Sequence, residues 1–136
     1  MSYLLDTNIC IALMNATSGK VRAHVAQAIL HNESLATSSI VVHELWYGVA
    51  KSAFASRNAR ALTVFLSGDI AVLDYSSKDA QAAGEIRAEL ERKGARIGEY
   101  DTLIAGQAIA RSLTLVTTNT REFRRIKGLA LEDWTL

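Results

Sequence analysis

The chain has 136 residues, 49% apolar and 21% charged, with 15 Lys and Arg against 14 Asp and Glu, for a formal charge of +1. A chain of this size buries roughly two-thirds of its unfolded surface, enough for one compact domain over 1–136 without disulfides or a structural metal, which excludes disordered and fibrous classes. The lone Cys10 excludes an intrachain disulfide or a Cys-rich metal cluster, and the absence of proline excludes polyproline segments. No apolar run reaches the roughly 18 residues of a membrane span, and the opening MSYLLDTN turns polar before a signal core forms, so the expectation is a soluble, cytoplasmic protein with no membrane partner.

In chain order, a first strand is predicted at YLLD (3–6), a helix over 20–31, and a second strand at SLATSS (34–39). Helices over 40–52 and 55–66 lead to a third strand at IAVLD (70–74). Residues 77–93 carry the clearest helix signal. Ala80, Ala83, Ile86 and Leu90 fall on one stripe, Ser76 and Asp79 have capping-box spacing, and Glu89 precedes Lys93 by four. Gly94 and Gly98 punctuate a loop before a helix over 101–112, followed by a fourth strand at LTLVTT (113–118) and a weaker fifth at LALEDW (129–134). Strands alternating with helices imply an α/β fold, a central, mostly parallel sheet of four to five strands flanked by helices.

Ligands of open parallel sheets bind outside the carboxyl ends of the strands, so residues just beyond each strand are the ones to weigh. Asp6 ends the first strand and is followed by Thr7 and Asn8. Glu44 lies in the first turns after the second, and Asn119 and Glu122 follow the fourth. Asp101 opens its helix and shares a face with Ile104, Ala105 and Ala108, while Glu44 borders the stripe of Val41, Leu45, Gly48 and Val49. Each acid also has an ordinary structural use: Asp6 in an Asx turn, Asp101 as a helix cap, Glu44 paired with Lys51 or Arg60. Together they point to a cation, because two unit charges about 4 Å apart repel by roughly 4 kcal/mol at an effective dielectric of about 20. Oxygen donors without a Cys or His set favour Mg²⁺ or Mn²⁺ over zinc. His24 and His31, seven residues apart, lack a third ligand and read as surface or boundary residues. His43 points about 100° away from Glu44 on a helix and takes no catalytic role. Trp46 and Tyr47 fit core, a dimer contact or a partner groove, with core packing as the default.

The segments LLDTN (4–8), SSIVVHELWYG (38–48), IGEYDTLIAGQA (97–108), LVTTNTREF (115–123) and the closing GLALEDW resemble the PIN-domain ribonucleases and, among them, the VapC-type toxins of type II toxin-antitoxin pairs. The resemblance implies a Mg²⁺- or Mn²⁺-dependent endoribonuclease that cuts structured RNA, of the transfer RNA or ribosomal RNA class, and so arrests translation. It also implies a VapB-type antitoxin, operator DNA bound only through the toxin-antitoxin complex, and homodimers within larger toxin-antitoxin oligomers. Carried over by position, the metal-binding acids are Asp6 and Asp101, with Glu44 as a third acid. The fourth place, Asp in many relatives, is Asn119 here, and Glu122 is the nearest substitute. Glu99 stands where many relatives have proline or another uncharged residue, and either adds negative charge to the mouth or points to solvent.

On this reading Asp6 and Asp101 hold the metal, and Glu44 or Glu122 orients or deprotonates the attacking water. Thr7, Asn8, Thr117 and Asn119 support the site or bond phosphate. Arg121, Arg124, Arg125 and Lys127, with Lys51, Arg57 and Arg60, are the candidate RNA contacts. Two other classes remain: a phosphoryl-transfer domain with a strand-end Asp nucleophile, and a PIN-like binding module acting only through antitoxin and operator DNA. Against the first, Asp6 lacks a second Asp two residues on. Charge near zero counts against a nonspecific nucleic-acid binder, but setting aside Asp6, Glu44, Asp101 and Glu122 leaves 10 acids against 15 bases, or +5. An acidic pocket within a modestly basic surface is the expected arrangement.

Overall fold

The computed structural model describes all 136 residues. Five strands, β1 (Ser2–Leu5), β2 (Ser34–Ser38), β3 (Ala71–Leu73), β4 (Thr114–Val116) and β5 (Leu131–Glu132), form one sheet in the order β3-β2-β1-β4-β5. Every neighbouring pair is parallel, the weak fifth strand included, so the sheet is wholly rather than mostly parallel. Seven helices flank it: α1 (Thr7–Asn15), α2 (Gly19–Leu30), α3 (Ser39–Ala50), α4 (Ala55–Leu66), α5 (Ser77–Arg92), α6 (Glu99–Ala110) and α7 (Thr120–Phe123). None is long and apolar enough to cross a membrane. Leu4, Leu5, Leu115 and Val116 of the central strands are buried among Ile9, Val41, Leu62, Ile104 and Phe123 of the helices.

Two helices depart from the sequence expectation. α1 starts directly after β1, because the Asp6 side chain accepts from the Ile9 amide at 3.0 Å and caps it. Its apolar segment, ICIALM, has too little polar contrast for periodicity to separate helix from strand. α7 is a single turn, too short to carry a periodic signal. A third shift concerns α6, which begins at Glu99, so Asp101 sits within its first turn rather than opening it, and Gly98 is the capping residue.

α5 and α6 form an antiparallel hairpin that fixes where α6 begins. The predicted capping box is present: Ser76 Oγ accepts from the Asp79 amide at 3.2 Å, and Asp79 Oδ2 accepts from the Ser76 amide at 2.9 Å. Asp79 also reaches the far end of α6, accepting from Arg111 Nη2 at 3.0 Å and Gln107 Nε2 at 3.1 Å. It is therefore Asp79, with Ala83, Ile86 and Leu90, that is buried on α5, while Ala80 forms part of the wall of a surface groove beside them. The two helices touch backbone to backbone at Gly106, where an added Cβ would lie 2.6 Å from the Cβ and the amide nitrogen of Ala83.

Two substitutions test this hairpin. Gly106→Ala is expected to cost about 2–3 kcal/mol, because relieving the overlap moves a whole helix. Asp79→Ala is expected to cost about 2 kcal/mol, below the full penalty for orphaning a buried ion because Arg111 reaches water. Burial pushes the Asp79 carboxyl up, but the Arg111, Ser76 and Gln107 hydrogen bonds outweigh it and hold the carboxyl below its ordinary 3.8. The stabilisation is thus complete above 3.8 and is lost as pH falls through the lower folded value. The gap between the urea midpoints of wild type and Asp79→Ala should narrow as pH falls from 7 to 3; a constant gap overturns the assignment.

Candidate active site

The strand order reverses direction at β1, which pairs with β2 on one side and β4 on the other. Leu5 lies opposite Thr37 and Val116, so β1 and β4 end at one level and β2 one residue further on. The Asp6 amide donates to the Val116 carbonyl at 3.1 Å, which continues the ladder one residue and sets Asp6 beside Thr117. A cleft of about 380 Å³ opens at this switch point, lined by Asp6, Thr7, Asn8, Glu44, Asp101, Thr118 and Asn119, with no apolar side chain among them.

Asp6 is 5% exposed. Burial pushes its carboxyl up to about 6, against the Thr117 hydroxyl and the Ile9 amide, which favour the charge, and with help from repulsion by Asp101 and Glu44. Asp101, half-buried in the first turn of α6, is also raised, by burial first and then by Glu122 and Glu44, with the Asn119 hydrogen bond opposing. Glu44 projects from the second turn of α3 and accepts from Thr7 Oγ1 at 2.7 Å, not from Lys51 or Arg60. Lys51 instead lies over the Tyr47 ring at 4.8 Å, and Arg57 over Phe54 at 4.7 Å. Asn119 Nδ2 lies 3.4 Å from Asp101 Oδ2 and 3.1 Å from Glu122 Oε2.

The donor set is all oxygen. Cys10 is buried at the start of α1, and burial pushes its thiol up to about 12, so it supplies no thiolate. His24 stacks on Trp134 and His43 faces Tyr100, neither toward the cleft. No three acidic, His or Cys side chains close into a preformed cage. That combination fits Mg²⁺ or Mn²⁺, which keep several waters and take one or two protein carboxylates, and does not fit zinc.

The PIN domain family model matches residues 3–129. The chain belongs to the PIN domain family. It is 45% identical over 134 residues to Ribonuclease VapC2 of Rickettsia felis, covering 98% of both chains. It is 42% identical over 135 residues to the tRNA(fMet)-specific endonuclease VapC of Shigella flexneri, covering 99% of both. Among solved structures, VapBC2 of R. felis bound to a DNA fragment from its promoter superposes with a TM-score of 0.92 at 44% identity, covering 98% of this chain and 99% of that one. Within the PIN family the chain therefore groups with the VapC ribonucleases.

In this PIN domain the fold brings together Asp6, Thr7, Asn8, Glu44, Asp101 and Asn119, all singled out from sequence. Thr118, which was not, lines the cleft, whereas Thr117 is fully buried and acts on Asp6. Alternation of side chains at the end of β4 separates these two neighbours, and the position of the strand end was the missing signal. Glu122 stands behind Asn119 rather than in the lining. Glu99 is exposed and borders a groove between α5 and α6 instead of the acidic mouth. Trp46 and Tyr47 are not core: they are 39% and 61% exposed, because α3 turns only Val41 and Leu45 fully inward. Arg121, Arg124 and Lys127 are exposed on α7 and the turn after it, and Arg125 beside them donates from Nη1 to the Arg96 carbonyl at 2.9 Å.

The raised Asp6 carboxyl has a consequence for stability. A native state that holds this proton more tightly than the unfolded chain loses stability as pH rises from 3.8 through about 6, and the loss is constant above that. Asn can replace Asp at the α1 cap. In EDTA, Asp6→Asn should therefore be more stable than wild type by about 2 kcal/mol at pH 7.5, with the advantage vanishing near pH 4. Thermal melts at the two pH values check this; an Asn variant less stable at pH 7.5 overturns it.

Proposed function

We propose that this chain is the toxin of a toxin-antitoxin pair, a divalent-cation-dependent endoribonuclease that hydrolyses phosphodiester bonds in structured RNA and so stops translation in the cytoplasm. The observation that carries this reading is the wholly polar cleft at the β1/β4 switch point, to which Asp6, Glu44 and Asp101 come from three separate elements of a VapC-family PIN domain. Asp6 and Asp101 are the residues to hold Mg²⁺ or Mn²⁺. When bound, the cation polarises the scissile phosphate and lowers the pKa of the attacking water.

The chain's own groups do the rest. Thr7 fixes one oxygen of Glu44, Oε1, and leaves Oε2 to take the water's proton as its oxygen bonds to phosphorus and the ester oxygen leaves. Asn8 and Thr118, both at the cleft, donate to phosphate oxygens. Arg121, Arg124, Arg125 and Lys127, close in sequence to Asn119, meet neighbouring phosphates. The likeness to a tRNA(fMet)-specific enzyme favours transfer RNA over ribosomal RNA as substrate. The likeness to a VapBC complex on promoter DNA favours a VapB-type antitoxin as partner and operator DNA bound through that complex.

Purified wild type should cleave transfer RNA with Mg²⁺ and not in EDTA. Asp6→Asn and Asp101→Asn should each lower cleavage by roughly 100-fold or more and relieve growth arrest on induction. Undiminished toxicity of Asp6→Asn sinks the assignment. In the Asp6→Asn background, Arg124→Ala with Arg125→Ala should weaken RNA binding and reduce its salt slope by about one for each phosphate that is no longer neutralised; an unchanged slope removes this patch from the RNA surface.

A further inference from the structure

Two of the site's acids converge on one neutral residue, Asn119. Its side-chain nitrogen faces Asp101 Oδ2 at 3.4 Å and Glu122 Oε2 at 3.1 Å, and its backbone amide donates to Thr117 Oγ1 at 3.0 Å. Accepting that bond leaves the Thr117 proton for Asp6, whose charge this hydroxyl favours. Both groups facing the Asn119 side chain are carboxylates, so the NH₂ end must point at them; the carbonyl oxygen there would meet two like charges. That nitrogen carries two N–H donors, one for each acid. Asn119 lines the cleft and Glu122 does not.

We infer that Asn119 is a positioning residue for the cation: a single amide holds Asp101 at the cleft wall and Glu122 behind it, so that Glu122 acts through Asp101 and is not itself a ligand. This rests on the cation-dependent reading above. Neither acid has a cationic partner. Without the amide, two carboxylates on α6 and α7 repel across the space it spans, and nothing on α7 aims Asp101. Groups that orient a ligand in this way typically change metal affinity 10–100-fold when removed.

Mn²⁺ titration calorimetry on the full chain, stripped with EDTA and dialysed, tests the role in wild type, Asn119→Ala, Glu122→Gln and the double variant. Asn119→Ala should bind Mn²⁺ about 10-fold more weakly. Glu122→Gln should stay within about threefold of wild type, and in its background the effect of Asn119→Ala should shrink below about threefold, because no second charge is left to hold off. Should Asn119→Ala fail to fold, Asn119→Ser, whose hydroxyl cannot span both acids, carries the same expectation. The role is overturned by an Asn119 variant within about twofold of wild type, by an equal weakening in both Glu122 backgrounds, or by a weakening of 10-fold or more in Glu122→Gln alone, which marks Glu122 as a ligand. Wild type that binds no Mn²⁺ overturns the cation reading together with this role, whereas wild-type binding undisturbed at Asn119 overturns the role alone.

Discussion

The peptide hydrogen bond from Asp6 to the Val116 carbonyl, one step beyond the paired residues Leu5 and Val116, is the interaction on which the site depends. It makes β1 and β4 end at one level where the sheet's strand order reverses. The segments that follow them then leave in different directions, and the crevice between opens onto the carboxyl edge. Asp6 works twice at that point. One oxygen, Oδ1, caps α1, which starts the helix without a loop and brings Thr7 within reach of Glu44. The carboxylate as a whole is the most deeply placed charge of the cleft.

Gathering carboxylates in this way works against folding, and the surrounding structure offsets the cost by hydrogen bonding rather than by salt bridges. Thr117 and the Ile9 amide serve Asp6, Thr7 serves Glu44, and Asn119 serves Asp101 and Glu122. None of these partners is cationic, so the cleft stays electronegative and open to a metal ion. Arg111, which caps the far end of the helix that carries Asp101, is held there by Asp79 and the Asp74 carbonyl. There it braces the helix hairpin that presents Asp101. Charge is thus segregated: ion-paired where it braces the helix hairpin, and without a cationic partner in the cleft.

Much of this was legible in the chain. The strand and helix alternation, the Ser76/Asp79 capping box and the helix over 55–66 follow from local pattern, and the strand-end rule led to Asp6, Glu44, Asp101 and Asn119 without knowledge of their contacts. The misses share a cause. α1 and α7 are respectively too apolar and too short for a periodic signal, and Trp46 and Tyr47 look like core because composition does not say which side of α3 meets the sheet. Thr118 escaped notice because which of two adjacent threonines turns into the cleft depends on the position of one strand end, a matter of a single residue that pattern does not resolve.

By itself, the sequence determined the α/β class, the acidic residue types available, the exclusion of an intrachain disulfide and of a Cys-rich metal cluster, and the family to which these motifs belong. Only the tertiary structure decided that the sheet is parallel throughout, that Asp79 turns inward on α5 beside the apolar stripe, and that Glu122 sits behind Asn119 instead of in the cleft. The physical reason is range. Helix and strand preferences are written in residues a few positions apart, whereas the repulsion that helps to tune Asp6 and Asp101 arises between groups 21 to 95 positions apart in the chain, and these meet only when β1, α3, α6 and α7 are assembled around one strand-order reversal.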